Sequence, residues 1–342
     1  MSESQTLGNC RFCSVVSKNS GEDPIGTAGT YDHWLIVELA LPWTEKSLRE
    51  DPKVQPIMAL IQKMSLEGMK IQALAIAPNQ EYSQPGSTRV LYYRRPAKFF
   101  AQFEKQEFCI PTEMLPALAT ALLTRSQNLP QFEVYRQETQ TIRDLFVCTH
   151  GNVDIACARF GYPIYQTLKR DYARHSNGKL RVWQCSHFGG HRFAPTLLDL
   201  PEGRYWGRLE PNVLDTLISR TGSVKDLSPF YRGWAGLTQL AQIVEREIWI
   251  REGWDWLNYL KAENTIPATE SHNLQKPDGV AVQIDFVNTN GDTSTYQAQV
   301  GENGEVMSLS ASGDKQPLTA FKQYHVIHLK KKIRFKQTKQ DN

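Results

Sequence analysis

Between Cys148 and His191 the chain carries two pairs of metal-ligand side chains set in loops, and whatever it folds into must bring those loops together. The first pair, Cys148-Thr-His-Gly-Asn-Val-Asp-Ile-Ala-Cys157, leaves the apolar run Leu145-Phe146-Val147 and leads into a helical pattern near Ala158. One cysteine therefore falls at a strand end and the other at a helix start. The second pair, His187-Phe-Gly-Gly-His191, follows the run Leu180 to Trp183, with Cys185 and Ser186 just ahead of it. A helix would put these two histidines on one face, but Gly189 and Gly190 each cost about 1 kcal/mol in a helix interior, so the segment reads as a loop. The H-E-x-x-H metalloprotease helix is excluded, because Phe188 stands where its glutamate is required. Glycines here suit a backbone that passes close to a bulky, negatively charged ligand. Two thiolates and two imidazoles serve either a structural zinc ion or a 2Fe-2S cluster. The nine positions from Cys148 to Cys157 exceed the tight C-x2-4-C spacing of closed zinc sites and favour the cluster.

At these residues the chain resembles the sucrase/ferredoxin-like proteins, whose central domain is similar to a thioredoxin-like 2Fe-2S ferredoxin. The resemblance runs from Arg143 to Arg220 through Cys148-Thr-His-Gly151, Cys157, Cys185-Ser-His-Phe-Gly-Gly-His-Arg-Phe-Ala194 and Tyr205-Trp-Gly-Arg208. It extends more weakly to Phe12-Cys13, Asp23-Pro-Ile-Gly-Thr-Ala28 and Tyr231-Arg-Gly-Trp234. It implies that Cys148, Cys157, His187 and His191 hold the cluster, the histidines replacing the later cysteine pair of the all-cysteine ferredoxins. Many relatives carry an arginine before the aspartate of the first loop, where this chain has Val153 before Asp154. The function implied is electron transfer between redox donor and acceptor proteins that the sequence does not name, as a carrier or redox component rather than a stand-alone enzyme. No pair of carboxylates stands out for sugar hydrolysis.

Six cysteines in 342 residues are too few for a disulfide scaffold, and a reducing cytoplasm fits them. A net charge of +3 gives no ground for nucleic-acid binding, and no run of eighteen apolar residues offers a membrane span.

The expected fold class is α/β, in which a thioredoxin-like ferredoxin domain over 141–222 follows a small α/β domain over 1–135, for which a thioredoxin-like layout is one reading. A long helix over 228–262, a small antiparallel β unit over 278–330 and a basic tail over 331–342 complete it. In the first domain strands are expected at Trp34–Leu41, Lys70–Ala77 and Arg89–Tyr93, and helices at Val54–Met64 and Thr112–Thr124. The Gln-, Asn- and Pro-rich span Ser126–Thr141 reads as a linker. Asn290-Gly291 is a hairpin signal. Cys10 and Cys13 form a C-x-x-C motif with no strand before it, and read as two ordinary thiols in a polar N-terminal loop, the alternative being half of a second metal site; the turns that follow at Asp23-Pro24 and Gly26 to Gly29 could lie over the cluster. His150 reads as a surface histidine, and Cys185 as a neighbour of the cluster. The tryptophans of 231–260 read as glue between helix and domains.

Overall fold

The computed structural model describes residues 11–264, 279–313 and 317–333. The described chain opens with α1 (Cys13–Asn19), β1 (His33–Glu38), α2 (Glu45–Glu50), α3 (Gln55–Leu66), β2 (Ile71–Ile76), β3 (Ser87–Arg94), β4 (Glu104–Pro111) and α4 (Leu115–Thr124). There follow β5 (Arg143–Cys148), α5 (Ile155–Thr167), β6 (Leu180–Cys185), β7 (Leu197–Leu200), β8 (Arg204–Trp206), α6 (Pro211–Ser219), β9 (Tyr231–Trp234) and α7 (Gln239–Glu252). The last strands are β10 (Leu260–Asn264), β11 (Val280–Val287), β12 (Thr293–Leu309) and β13 (Leu318–Ile333). Among the described residues no helix is long and apolar enough to cross a membrane.

Nine strands form one mixed sheet in the order β4-β3-β1-β2-β6-β5-β7-β8-β9, and four form an antiparallel sheet in the order β10-β11-β12-β13. In the large sheet β1 runs parallel to β2 and β5 to β6, while β3 and β7 are antiparallel to β1 and β5. The courses β2-β1-β3-β4 and β6-β5-β7-β8 are therefore the same course twice, each with a crossover helix, α3 or α5, between its parallel strands. This mixed α/β layout, followed by a small antiparallel sheet, is the expected class. The two halves meet at one register position, Ile76 opposite Cys185, flanked by hydrogen bonds from Ala77 N–H to Gln184 O at 3.0 Å and from Ser186 N–H to Ala75 O at 2.8 Å. The second ligand loop thus starts at the seam.

Strand alternation decides which residues go where. Trp34, Ile36, Leu91 and Tyr93 of the first half share a core with Phe146, Val147 and Trp183 of the second. On the opposite face Leu35, Val37, Val90 and Tyr92 pack against α3 and α4. Trp234, Trp249 and Trp256 are buried in the larger core, as expected of packing tryptophans.

Three local expectations need correction. β4 was not foreseen, because its inward residues Lys105 and Glu107 are charged and break the apolar alternation; both are buried in an ion-pair network with Asp144 and Arg181. The expected linker is not bare, since Leu129–Tyr135 forms a 3-10 turn that buries Phe132. The stretch expected as one long helix is α-helical only over α7: Gly233 at φ +137° lies in β9, which pairs with β8, and Gly253 at φ +69° ends the helix, with a 3-10 turn over Gly253–Asn258 after it. The Asn290-Gly291 hairpin forms as expected between β11 and β12, with Gly291 at φ +81°.

Candidate metal centre

Cys148 ends β5, and the helix that carries Cys157 packs directly onto it. Close packing there depends on Gly161 of α5: a Cβ at that position would lie 2.1 Å from the Cys148 carbonyl oxygen. Asp154 caps α5 by accepting a hydrogen bond from Ala156 N–H at 2.9 Å, which fixes Cys157 in the first turn. The second loop turns through left-handed backbone at Gly189 and Gly190, φ +91° and +81°. At Gly190 a Cβ would meet the Arg232 guanidinium at 2.3 Å. That arginine, reaching in from β9, donates to Gly189 O at 3.0 Å and to Thr27 O at 2.7 Å, and so pins the loop.

The result is two neighbouring groups of donor atoms. Cys148 Sγ and Cys157 Sγ lie 3.6 Å and 3.7 Å from His187 Nδ1, and the ligand atoms of all three fall within 4.8 Å of one another. His191 stands in the second group, its Nδ1 3.3 Å from both Cys13 Sγ and Asp154 Oδ2. The two imidazole rings are 5.5 Å apart between centroids. The thiols are buried and both histidines partly exposed, so the imidazoles form the solvent side of the site. Cys185 pairs with Cys148 in the strand register and lies outside both groups. Such Cys/His groups are able to bind a metal.

Electrostatics prepare the thiols for that role. The Cys148 thiol is pulled down to about 5, first by the hydrogen bond from Cys157, with His187 adding to it, while the same pairing pushes Cys157 up. Burial lowers Arg232 to about 10, which leaves it a buried cation at neutral pH beside the two thiols. Burial also pushes the Cys13 thiol up to about 12, and lowers His191 against the opposing pull of Asp154. Asp154 itself is held below its ordinary value: burial would raise it, but hydrogen bonds from Ser312 N–H at 2.8 Å and Ser312 Oγ at 2.7 Å prevail.

Two sequence readings change here. Cys13 is not a thiol in a polar loop but the first residue of α1, fully buried, with its backbone N–H bonded to Ser312 Oγ at 3.0 Å. His150 is 7% exposed, not a surface residue: its Nε2 faces Trp43 O at 2.8 Å and its Nδ1 accepts from His187 N–H at 3.3 Å. It therefore ties the first ligand loop to the second. Cys10 lies outside the described residues. The sequence reading also passed over Asp154 and Arg232. The signal for Asp154 was an aspartate just ahead of a helical pattern, a helix-cap position; for Arg232 it was the phrase Tyr231-Arg-Gly-Trp234.

If His191 holds a metal through its other ring nitrogen, Asp154 at Nδ1 would orient the ring, and the loss of such a carboxylate costs about 10- to 100-fold in metal affinity. Asp154→Asn is expected to lose metal in that range to a chelator of graded strength while circular dichroism stays unchanged. Parental retention would mean that Asp154 only caps α5.

A sequence model of the sucrase/ferredoxin-like family matches residues 24–233, more than half of the chain and including all four residues of the two ligand pairs. No curated protein and no solved structure matches.

Proposed function

The chain belongs to the sucrase/ferredoxin-like family, and on that premise we propose that it is an electron-transfer protein whose Cys148, Cys157, His187 and His191 hold a 2Fe-2S cluster. The observation that carries this reading is the meeting of two buried cysteine thiols and His187 Nδ1 within 4.8 Å, with the His191 ring beside that of His187. The donor set suits the group: thiols for soft iron, one of them already acidic, and imidazoles on the exposed side. When bound, such a cluster takes up and gives back one electron with little movement of atoms.

The chain's own residues set the conditions for that exchange. The hydrogen bond from Cys157, with His187 adding to it, favours the thiolate of Cys148, and the buried Arg232 cation lies beside it. Neutral imidazoles in place of two thiolates remove negative charge, which favours electron uptake and places the potential at roughly −150 to +300 mV rather than near −400 mV. His187 and His191, on the solvent side, offer the edge nearest to a partner.

The test is anaerobic purification with visible and electron paramagnetic resonance spectra and iron, sulfide and zinc analysis, alongside His187→Cys and His191→Ala. Two irons and two sulfides per chain are expected, with absorbance that dithionite bleaches and a spectrum that shifts in both variants. A colourless protein with one zinc per chain would sink electron transfer and leave a zinc-stabilised interaction module on the same ligands.

A further inference from the structure

The parallel register of β1 and β2 sets Leu35 opposite Ala73 and Val37 opposite Ala75. Two alanines side by side on the face toward α3 leave unfilled a space that larger strand residues would occupy. The cavity there is about 980 Å³, roofed by Ile57, Met58 and Ile61 of α3, and it ends on His150, Val153, Ser186 and His187 of the two ligand loops. One residue, His187, therefore belongs both to the cavity wall and to the donor group.

What lines the cavity restricts what can enter it. Its wall contains no Asp, Glu, Lys or Arg, so a phosphate or carboxylate inside would lose its hydration with no charge to replace it. Nucleotide and flavin-nucleotide cofactors are thereby disfavoured. Two of the polar groups at the metal end are already engaged: Ser186 Oγ accepts from Ala75 N–H at 2.9 Å, and both ring nitrogens of His150 are occupied, which leaves His187. The other polar side chains of the wall, Gln55 and Gln62 of α3, are uncharged and exposed, so an occupant is held mainly by apolar contact, and the volume lies in the range of small-molecule sites.

We propose that this cavity binds a neutral, apolar ring compound of the quinone class and presents it to the metal centre at His187. Neutrality, apolarity and size follow from the cavity alone; redox activity rests on the electron-transfer reading above. Trp43 supplies a reporter, since it packs on Leu39 and Leu48, which also line the cavity.

The test uses full-length protein, metal-loaded and metal-stripped, with 2,3-dimethyl-1,4-naphthoquinone as the neutral probe and anthraquinone-2-sulfonate as the anionic one. Tryptophan quenching and thermal shift are expected to show saturable binding of the neutral probe to both forms, with the sulfonate at least about tenfold weaker. Ala73→Phe, which fills the hollow, is expected to weaken the neutral probe by at least about tenfold with circular dichroism unchanged. Met58→Lys, on the exposed rim, is expected to fold normally and to narrow the preference against the sulfonate. In the loaded protein the neutral probe is expected to shift the centre's visible spectrum. Absence of saturable binding, equal affinity for the two probes, or the same preference in Met58→Lys would overturn the proposal, as would full binding in a folded Ala73→Phe. Binding that leaves the loaded centre's spectrum unchanged would overturn the placement at His187. A chain that proves to hold zinc but binds the neutral probe with these preferences would sink electron transfer and keep the cavity's ligand class.

Discussion

Asp144→Asn is expected to cost the fold about 3–5 kcal/mol, a large share of the stability of an ordinary domain. Asp144 is fully buried on β5, and each of its oxygens is engaged. One accepts from Arg181 Nε at 2.8 Å and Trp183 Nε1 at 2.9 Å, the other from Tyr93 OH at 2.7 Å and from Lys105. Beside it Glu107 takes both terminal nitrogens of Arg181, at 2.9 Å and 2.6 Å, and pairs with Arg89. The asparagine keeps the shape but removes the charge, so Glu107 is left to face three buried cations alone. Burial by itself would raise both carboxyl groups. Arg181, then Lys105, holds Asp144 far below its ordinary value, and the Arg181 hydrogen bonds hold Glu107 below its own. Depressed carboxylates contribute stability above their unfolded values, near about pH 4, and lose it as pH falls toward the folded ones. The parent should therefore weaken steeply below about pH 4, and the variant should lose much of that slope. Urea unfolding from pH 7 to pH 3 measures both, and an unchanged midpoint at pH 7 would refute the account.

Gly161→Ala is expected to reverse the usual sign of its substitution. In a helix interior alanine normally gains about 1 kcal/mol over glycine, but here the added Cβ falls 2.1 Å from the Cys148 carbonyl oxygen, a backbone atom that cannot rotate away. Helix α5 has to lift from β5, and Cys157 leaves with it. Overpacking of this kind costs about 1–3 kcal/mol. The larger effect is expected on the metal, because the proposed ligands Cys148 and Cys157 would no longer share it once moved apart: at least about 10- to 100-fold lower affinity, the range for a disturbed ligand shell. Metal per chain after dialysis, beside thermal unfolding, reads the two effects separately. A variant that melts higher than the parent with full metal would show that the helix has room to spare.

Both variants bear on how much of this molecule can be read from its sequence. A strand buried on both faces, such as β5, is legible as the continuous apolar run Leu145-Phe146-Val147. β4 is not, because the residues it turns inward are Lys105 and Glu107, whose partners Asp144 and Arg181 lie on other strands. The ligand pairs were legible through side-chain type and the glycines between them. Cys13 was marked by its C-x-x-C motif, but its place beside the site was not legible, because its neighbour His191 is 178 positions away. Asp154 was half legible: its cap position is local, but the Ser312 that saturates it is 158 positions away.

The bonds from Ser312 to Asp154 also carry a consequence for biosynthesis. A chain emerging from the ribosome has exposed Cys148, Cys157, His187 and His191 well before Ser312 has been made. Until then Asp154, the residue beside His191, lacks the two hydrogen bonds that hold it in place. Metal delivered to the nascent chain meets the four expected ligands without that brace, whereas metal delivered after release meets the finished site. Ser312 therefore braces the site only in the finished chain.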